Sequence, residues 1–353
     1  MSSVTYEPPK SLEAFFTSTK FISMACGPIG STKTTAGLLK VVYHASKMAP
    51  CKDGIRRSRC VIVRNTKEQL KDTTIPDFLK WYPDGLAGYY LKTDYKFIIK
   101  FGDVECEVLF RALEDTKDVR KLLSLQLSFA VFDEFREINP DIFAATQGRC
   151  GRYPDKMLVP PKGDFPGGCV TDDGEENKFL WGMTNPPDMD TYWEKFLTNP
   201  PENAHVTIQP GGLSIDADWV QWLPRGYYEN LMTANSDEWA DVYVHAKFGK
   251  SLAGRPVWSS FSPSFHVSSK PLRPIVSESY PLIIGQDFGL TPACTISQLN
   301  PYGQFITFRS ITSDGMGIVR FMDELFIPLL RDEFPGYPTL VVGDPAFVKY
   351  SIE

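Results

Sequence analysis

The sequence contains four histidines and no Cys-x-x-Cys pair, so the usual donor set of a zinc site is missing. Its seven cysteines are odd in number and irregularly spaced, which argues against a disulfide framework and fits reduced thiols in a cytoplasm. No run of about 18 apolar residues occurs, so nothing reads as a membrane-spanning helix. The N-terminal "MSSVTYEPPK" lacks the basic and apolar regions of a signal peptide. There is no internal repeat and no low-complexity tract. The 37 basic residues against 43 acidic ones leave a net charge of −6, which argues against indiscriminate coating of nucleic acid.

What is present is the composition of a globular protein, 42% hydrophobic and 23% charged, on a chain of 353 residues that is too long for one compact core. "KFISMAC" reads as a buried strand and "KTTAGLLKVVYHASKM" as a helix, with "GPIGSTKTTA" (Gly27 to Ala36) between them. That loop approaches the phosphate-binding pattern G-x-x-x-x-G-K-[ST], whose backbone amides cradle phosphates while the lysine reaches the β- and γ-phosphates. Gly27, Gly30, Lys33 and Thr34 fall at workable places, whereas Thr32 stands where the pattern has glycine. Alone, the stretch reads equally well as an ordinary turn.

Further strands are expected at "SRCVIVRN", "LSFAVFDEF" and "KFLWGMTNPP", a helix at "TKEQLKDTTIPDFLKWY" and a hairpin about Gly102-Asp103. Strands alternating with helices imply a mainly parallel α/β sheet with ligands at the strands' carboxyl ends. The Pro/Gly-rich "VPPKGDFPGGCVTDDGEEN" is expected to be a surface loop. Asp133 and Glu134, at the end of an apolar strand, are the pair a nucleotide-hydrolysing site needs: Asp133 for Mg²⁺ and Glu134 for the attacking water. Asn185, at the tip of the "WGMT" strand, is placed to sense the γ-phosphate, although Asn-Pro also starts turns. Between Lys52 and Lys71 there are seven Lys/Arg against two acids, readable as a solvated face or as a DNA-contact surface.

"GPIGSTKT", "FAVFDEF" and "GMTNPP", followed by "IIGQDFGLTPA" and "VVGDPAF", resemble in this order the large terminase subunit of tailed bacteriophages. The resemblance runs over nearly the whole chain. It implies an α/β fold with a phosphate-loop NTPase domain over 1–210, a helical connector over 211–276 and a partial ribonuclease H-like nuclease domain over 277–353. The implied activity is ATP-driven translocation of double-stranded viral DNA into a capsid, with endonuclease cutting of that DNA. By the same resemblance, Gly27, Gly30, Ser31, Thr32, Lys33 and Thr34 hold ATP, and Thr34 and Asp133 hold Mg²⁺. Glu134 is then the catalytic carboxylate, Asn185 couples hydrolysis to movement, and Tyr6 approaches the adenine unless its segment is an ordered N-terminal arm. Arg120, and after it Arg64, are the expected arginine fingers. The implied partners are a portal protein and a small terminase subunit, with the chain in a homo-oligomeric ring in the host cell cytoplasm. A helicase-type ATPase and a non-catalytic nucleotide-binding scaffold are the alternatives.

The last part carries a second chemistry. Asp287 in "PLIIGQDFGL" and Asp344 in "PTLVVGDPAF" sit in strand-like runs where an unpaired carboxylate is costly, so a shared metal site is expected. The order of elements resembles a ribonuclease H-type fold, in which neighbouring strands bring such carboxylates around two ions, Mg²⁺ or Mn²⁺. The chain stops at Glu353 before a later helix could supply a further carboxylate, and Asp314, Asp323 and Glu324 fall in the wrong part of the pattern, so the domain reads as truncated.

Overall fold

A computed structural model describes residues 6–114, 119–249, 261–289, 291–313 and 316–343. The chain divides into two compact units, Met1–Pro256 and Val257–Glu353.

The first unit is built on eight strands: β1 (Ile22–Cys26), β2 (Arg56–Arg64), β3 (Gly88–Leu91), β4 (Lys96–Phe101), β5 (Val104–Ala112), β6 (Phe129–Asp133), β7 (Phe179–Thr184) and β8 (Ala204–Ile208). Their order across the sheet is β3-β4-β5-β2-β6-β7-β1-β8. The strands from β5 to β8 in that order are parallel, and β3 and β4 add an antiparallel edge. Every residue of β1, β6 and β7 is buried, which is why these strands read as apolar runs rather than as alternations. The hairpin expected about Gly102-Asp103 is the β4–β5 pair, with Gly102 in the left-handed region at φ 54°.

Helix α1 (Lys10–Thr17) and helix α2 (Lys33–Ala45) lie on one face, where Ala36, Leu38, Val41 and Ala45 join Phe129, Trp181 and Met183 in the core. A Cβ at Gly37 would stand 2.1 Å from Met183 Sδ, so α2 approaches the sheet as closely as glycine alone permits. The other face buries Phe132, Phe135, Phe143 and Trp193. The segment expected as a helix over 66–82 is helical over 67–81, with a wide π turn at Leu70–Thr74 and a capping box at Thr66 and Gln69.

The Pro/Gly-rich stretch is more than a surface loop. Val159 and Val170 are buried with Ala49 and Cys51, and Asn177 donates to the His44 carbonyl at 3.0 Å. Residues 211–249 pack within the first unit: Trp219 and Tyr228 are buried, and Trp219 Nε1 donates to Tyr228 Oη at 2.9 Å. All seven cysteines are buried free thiols.

The second unit is a four-stranded sheet of β9 (Leu282–Asp287), β10 (Ala293–Leu299), β11 (Phe305–Thr312) and β12 (Thr339–Gly343), in the order β11-β10-β9-β12. β10 pairs antiparallel with both β9 and β11, and β12 returns parallel to β9 after helical turns over 318–333. Its core is small, centred on Ile284, Cys294, Phe321 and Phe326.

Candidate active site

At the carboxyl end of β1 the chain turns through residues 27–32 into α2. Gly27 is required by crowding, since a Cβ there would meet Gln209 Oε1 at 2.6 Å. Gly30 adopts φ 74° and Thr32 adopts φ 63°. The glycine of the sequence pattern therefore stands at a left-handed position, and Thr32 occupies that position despite its branched Cβ. Such a conformation costs on the order of 1–3 kcal/mol. Thr32 Oγ1 is also buried without a hydrogen-bond partner among the described residues.

Lys33 opens α2 and is 6% exposed. Its Nζ donates to Pro28 O at 2.6 Å and Ser31 Oγ at 3.0 Å, and reaches Asn185 Oδ1 at 3.4 Å. Burial pushes its pKa down to about 8. Ser31 Oγ donates to Gln209 Oε1 at 2.7 Å, and Gln209 Nε2 donates to Ser11 Oγ at 3.1 Å and Ser31 O at 3.3 Å. Gln209 follows β8 and clamps the loop from the side. Sequence reasoning passes it by, because a lone glutamine after a strand carries no local signal. Thr34 is half-buried in the first turn of α2.

Asp133 and Glu134 are consecutive but serve different surroundings. Asp133 is 5% exposed, and its Oδ2 accepts from Thr74 Oγ1 at 2.6 Å. Burial raises its pKa to about 6. Glu134 lies past the end of β6 at φ 53°, a second strained residue in the same site. Its carboxylate accepts from Thr184 Oγ1 at 3.2 Å, Asn185 N at 3.3 Å and Asn185 Nδ2 at 3.4 Å. Loop, carboxylate pair and amide thus meet at the carboxyl ends of β1, β6 and β7, with β7 between the other two.

Other expected site residues lie elsewhere. Tyr6 packs its ring 5.9 Å from Phe16 and 6.0 Å from Trp81. Phe16 in turn contacts Tyr43 at 5.1 Å, and Tyr43 stands about 15 Å along α2 from Lys33 at 1.5 Å per residue. Tyr6 thus packs within an aromatic cluster of Phe16, Trp81 and Tyr43. Arg120 is exposed. Arg64, ranked behind it, is the arginine that reaches the carboxylate strand: it is buried, donates to Asp133 O at 3.1 Å and lies 3.7 Å from Glu137. Arg136, which sequence reasoning missed, has its Nε 3.9 Å from Glu134 Oε2.

The basic stretch has its arginines neutralised. Arg56 pairs with Asp103 and Asp172, Arg57 with Asp53 and Glu105, and Arg59 with Glu107. The excess of positive charge seen locally in the sequence is cancelled by acids from neighbouring strands and loops.

In the second unit, Asp287 is the last residue of β9 and is exposed, with Oδ1 accepting from Gly289 N at 2.9 Å. The desolvation argument for a metal there does not hold, because this carboxylate is solvated and caps a turn. Asp344, like Asp314, lies outside the described residues. Glu324 pairs with Arg320 at 2.9 Å. Among the described residues no group of three His, Cys, Asp or Glu could hold a metal ion, and no helix is long and apolar enough to cross a membrane.

No protein-family model and no curated protein matches the sequence. Solved structures do match. The large terminase from a thermophilic bacteriophage aligns with a TM-score of 0.52 at 14% identity, covering 98% of this chain and 79% of that one. The fold is similar to that of a phage large terminase. The terminase of that same phage, solved in complex with ADP, aligns with a TM-score of 0.51 at 15% identity, over 97% of this chain and 79% of that one. At this identity the likeness is one of fold, so the chemistry has to be argued from the residues.

Proposed function

We propose that this protein is an ATP-hydrolysing motor of the large-terminase kind, which drives double-stranded viral DNA into a capsid. The observation that carries this reading is the hydrogen-bonded chain Lys33–Asn185–Glu134, drawn from three strand ends in a fold similar to a terminase solved with ADP. The loop amides and Lys33 hold the β- and γ-phosphates. Glu134 orients and accepts a proton from the attacking water. Asn185, which touches both Lys33 and Glu134, registers the presence or loss of the γ-phosphate.

Asp133 and Thr34 supply hard oxygen donors of the type that Mg²⁺ takes, and the buried Asp133 carboxylate is a charge that a divalent cation would neutralise. When bound, Mg²⁺ stabilises the charge developing on the transferred phosphoryl group. The second unit is proposed as a ribonuclease H-like unit in which Asp287 and Asp344 would hold Mg²⁺ or Mn²⁺ weakly, with little cutting of DNA. The support is its topology: β9 and β12 are parallel neighbours with Gly343 beside Gln286. A portal protein, a small terminase subunit and further copies of this chain in a ring, within the host cytoplasm, complete the proposal.

The test is ATP turnover by the purified protein in Mg²⁺, beside Lys33→Ala and Glu134→Ala. Turnover lost in both variants, with nucleotide binding kept by Glu134→Ala and weakened in Lys33→Ala, is the expected result. Nucleotide binding without turnover in the parent protein would favour the non-catalytic scaffold.

A further inference from the structure

Arg136 makes more contacts than a loop arginine needs. Its main-chain N–H donates to Thr184 Oγ1 at 3.4 Å, and that hydroxyl donates in turn to Glu134. Its Nη1 donates to Pro186 O at 3.1 Å, next to Asn185. Its Nη2 donates to Tyr243 Oη at 2.5 Å, and the guanidinium lies 5.1 Å from the centre of the Tyr243 ring. One side chain therefore spans the end of β6, the tip of β7 and the helix Asp237–Tyr243.

Tyr243 is anchored at its other end to the phosphate loop. Its carbonyl accepts from Ile29 N at 2.9 Å, while Tyr228 Oη donates to Ile29 O at 2.7 Å. Both main-chain groups of Ile29, in the turn between Gly27 and Gly30, are thus held by residues of the 211–249 segment. A Cβ at Gly30 would stand 3.2 Å from both Leu223 and Tyr227, so the same segment covers the loop. Trp239 stacks on Tyr243 at 4.7 Å with 26° between the rings.

Resting on the ATPase reading, we propose that Arg136 is a positioning residue for Glu134 and links the hydrolysis site to the helix Asp237–Tyr243 through the Tyr243 hydroxyl. A guanidinium carries five donors in a rigid fork, so its contacts cannot be adjusted one at a time. If Glu134 shifts to engage water beside a bound triphosphate, the ion pair at 3.9 Å changes, and the fork must move against Tyr243. The displacement then reaches Trp239 and the Ile29 turn. This is a physical connection between two elements, and coupling must be measured to establish it.

Trp239 provides the readout, with background from the remaining tryptophans measured in Trp239→Phe. The full chain is titrated with ATPγS while its tryptophan emission is followed, and nucleotide binding is measured separately by equilibrium dialysis. In the parent protein the Trp239 signal should change on binding. Arg136→Ala and Arg136→Lys should bind ATPγS within about 3-fold of the parent yet lose most of that signal, and their kcat should fall roughly 10-fold with KM little moved. Tyr243→Phe keeps the ring stack and the Ile29 contact but loses the hydroxyl, so it should lose the signal as well. A full Trp239 response in Arg136→Ala, or no response in a parent protein that hydrolyses ATP, overturns the link. A parent protein that neither binds nor hydrolyses ATP refutes the ATPase reading instead.

Discussion

Asn185 stands between a cation and a carboxylate: its Oδ1 lies 3.4 Å from Lys33 Nζ, and its Nδ2 lies 3.4 Å from Glu134 Oε1. The amide's two ends are oriented by the charges they face, oxygen toward ammonium and nitrogen toward carboxylate. Neither Asp nor Ala reproduces both contacts. Asn185→Asp places a second carboxylate against Glu134 and a second anion beside Lys33, and should lower kcat by about 10–100-fold with a smaller change in KM. Steady-state ATP hydrolysis measures this, and an unchanged kcat would remove Asn185 from the mechanism.

Asp133 is buried at the cost of its charge, and the proposed Mg²⁺ would offset that cost. Its folded pKa is raised to about 6 from an ordinary 3.8, so the folded state holds the proton more tightly than the unfolded state. The resulting stabilisation is fully present below about pH 4 and is lost as pH rises through 6. At neutral pH the buried anion then costs about 3 kcal/mol, at 1.36 kcal/mol per pKa unit. Asp133→Asn should raise the melting temperature by several degrees at pH 7.5, leave it nearly unchanged at pH 4, and abolish Mg²⁺-dependent turnover. Equal melting shifts at both pH values would contradict the burial argument.

Thr32 carries two costs at one position, a left-handed backbone with a branched Cβ and a buried hydroxyl with no hydrogen-bond partner among the described residues. Glycine removes both, and its larger unfolded-state entropy offsets up to about 1 kcal/mol. Thr32→Gly should therefore stabilise the nucleotide-free protein by about 1–2 kcal/mol. Denaturant unfolding monitored by circular dichroism tests this, and a loss of stability would mean that the threonine side chain has packing value not visible in its contacts.

The arginines at 56, 57 and 59 should matter for stability and little for DNA. Each is engaged by carboxylates, so the three guanidiniums neutralise few DNA phosphates, and alanine at all three removes little of the counterion release from DNA that drives binding. The log–log salt slope of DNA binding should change by less than about one, while the protein melts earlier. Lys52, Lys67 and Lys71 are exposed, and alanine at those positions should lower the slope if this face meets the backbone. A slope reduced by three in the arginine variant would restore the local-charge reading.

Much of the fold was legible because central parallel strands announce themselves as apolar runs, as "SFAVF" and "FLWGM" do. The loop, Lys33, Asp133, Glu134 and Asn185 were legible because each sits at the end of such a run. What escaped depends on contacts between distant segments. Gln209 and Arg136 have no local pattern, and their partners Ser31 and Tyr243 lie far away in the chain. Arg56 reads as free in the sequence, but the β4–β5 turn and the 159–177 loop bring Asp103 and Asp172 to it. The desolvation cost expected at Asp287 is absent for a simpler reason: a strand's last residue can be exposed even when those before it are not.

β7 is hydrogen-bonded along both edges, to β6 on one side and β1 on the other, and all its residues are buried. A strand so fixed can slide only by a whole register step, roughly 6.6 Å, and half of that step would turn its core side chains to the opposite face. Loss of a phosphate cannot drive such a jump. On the motor reading proposed above, the sheet is therefore the stator. Whatever turns must hang from its rim: the Asn185 amide, the Pro186 carbonyl and the chain beyond it to Asp190, itself in the left-handed region at φ 65°.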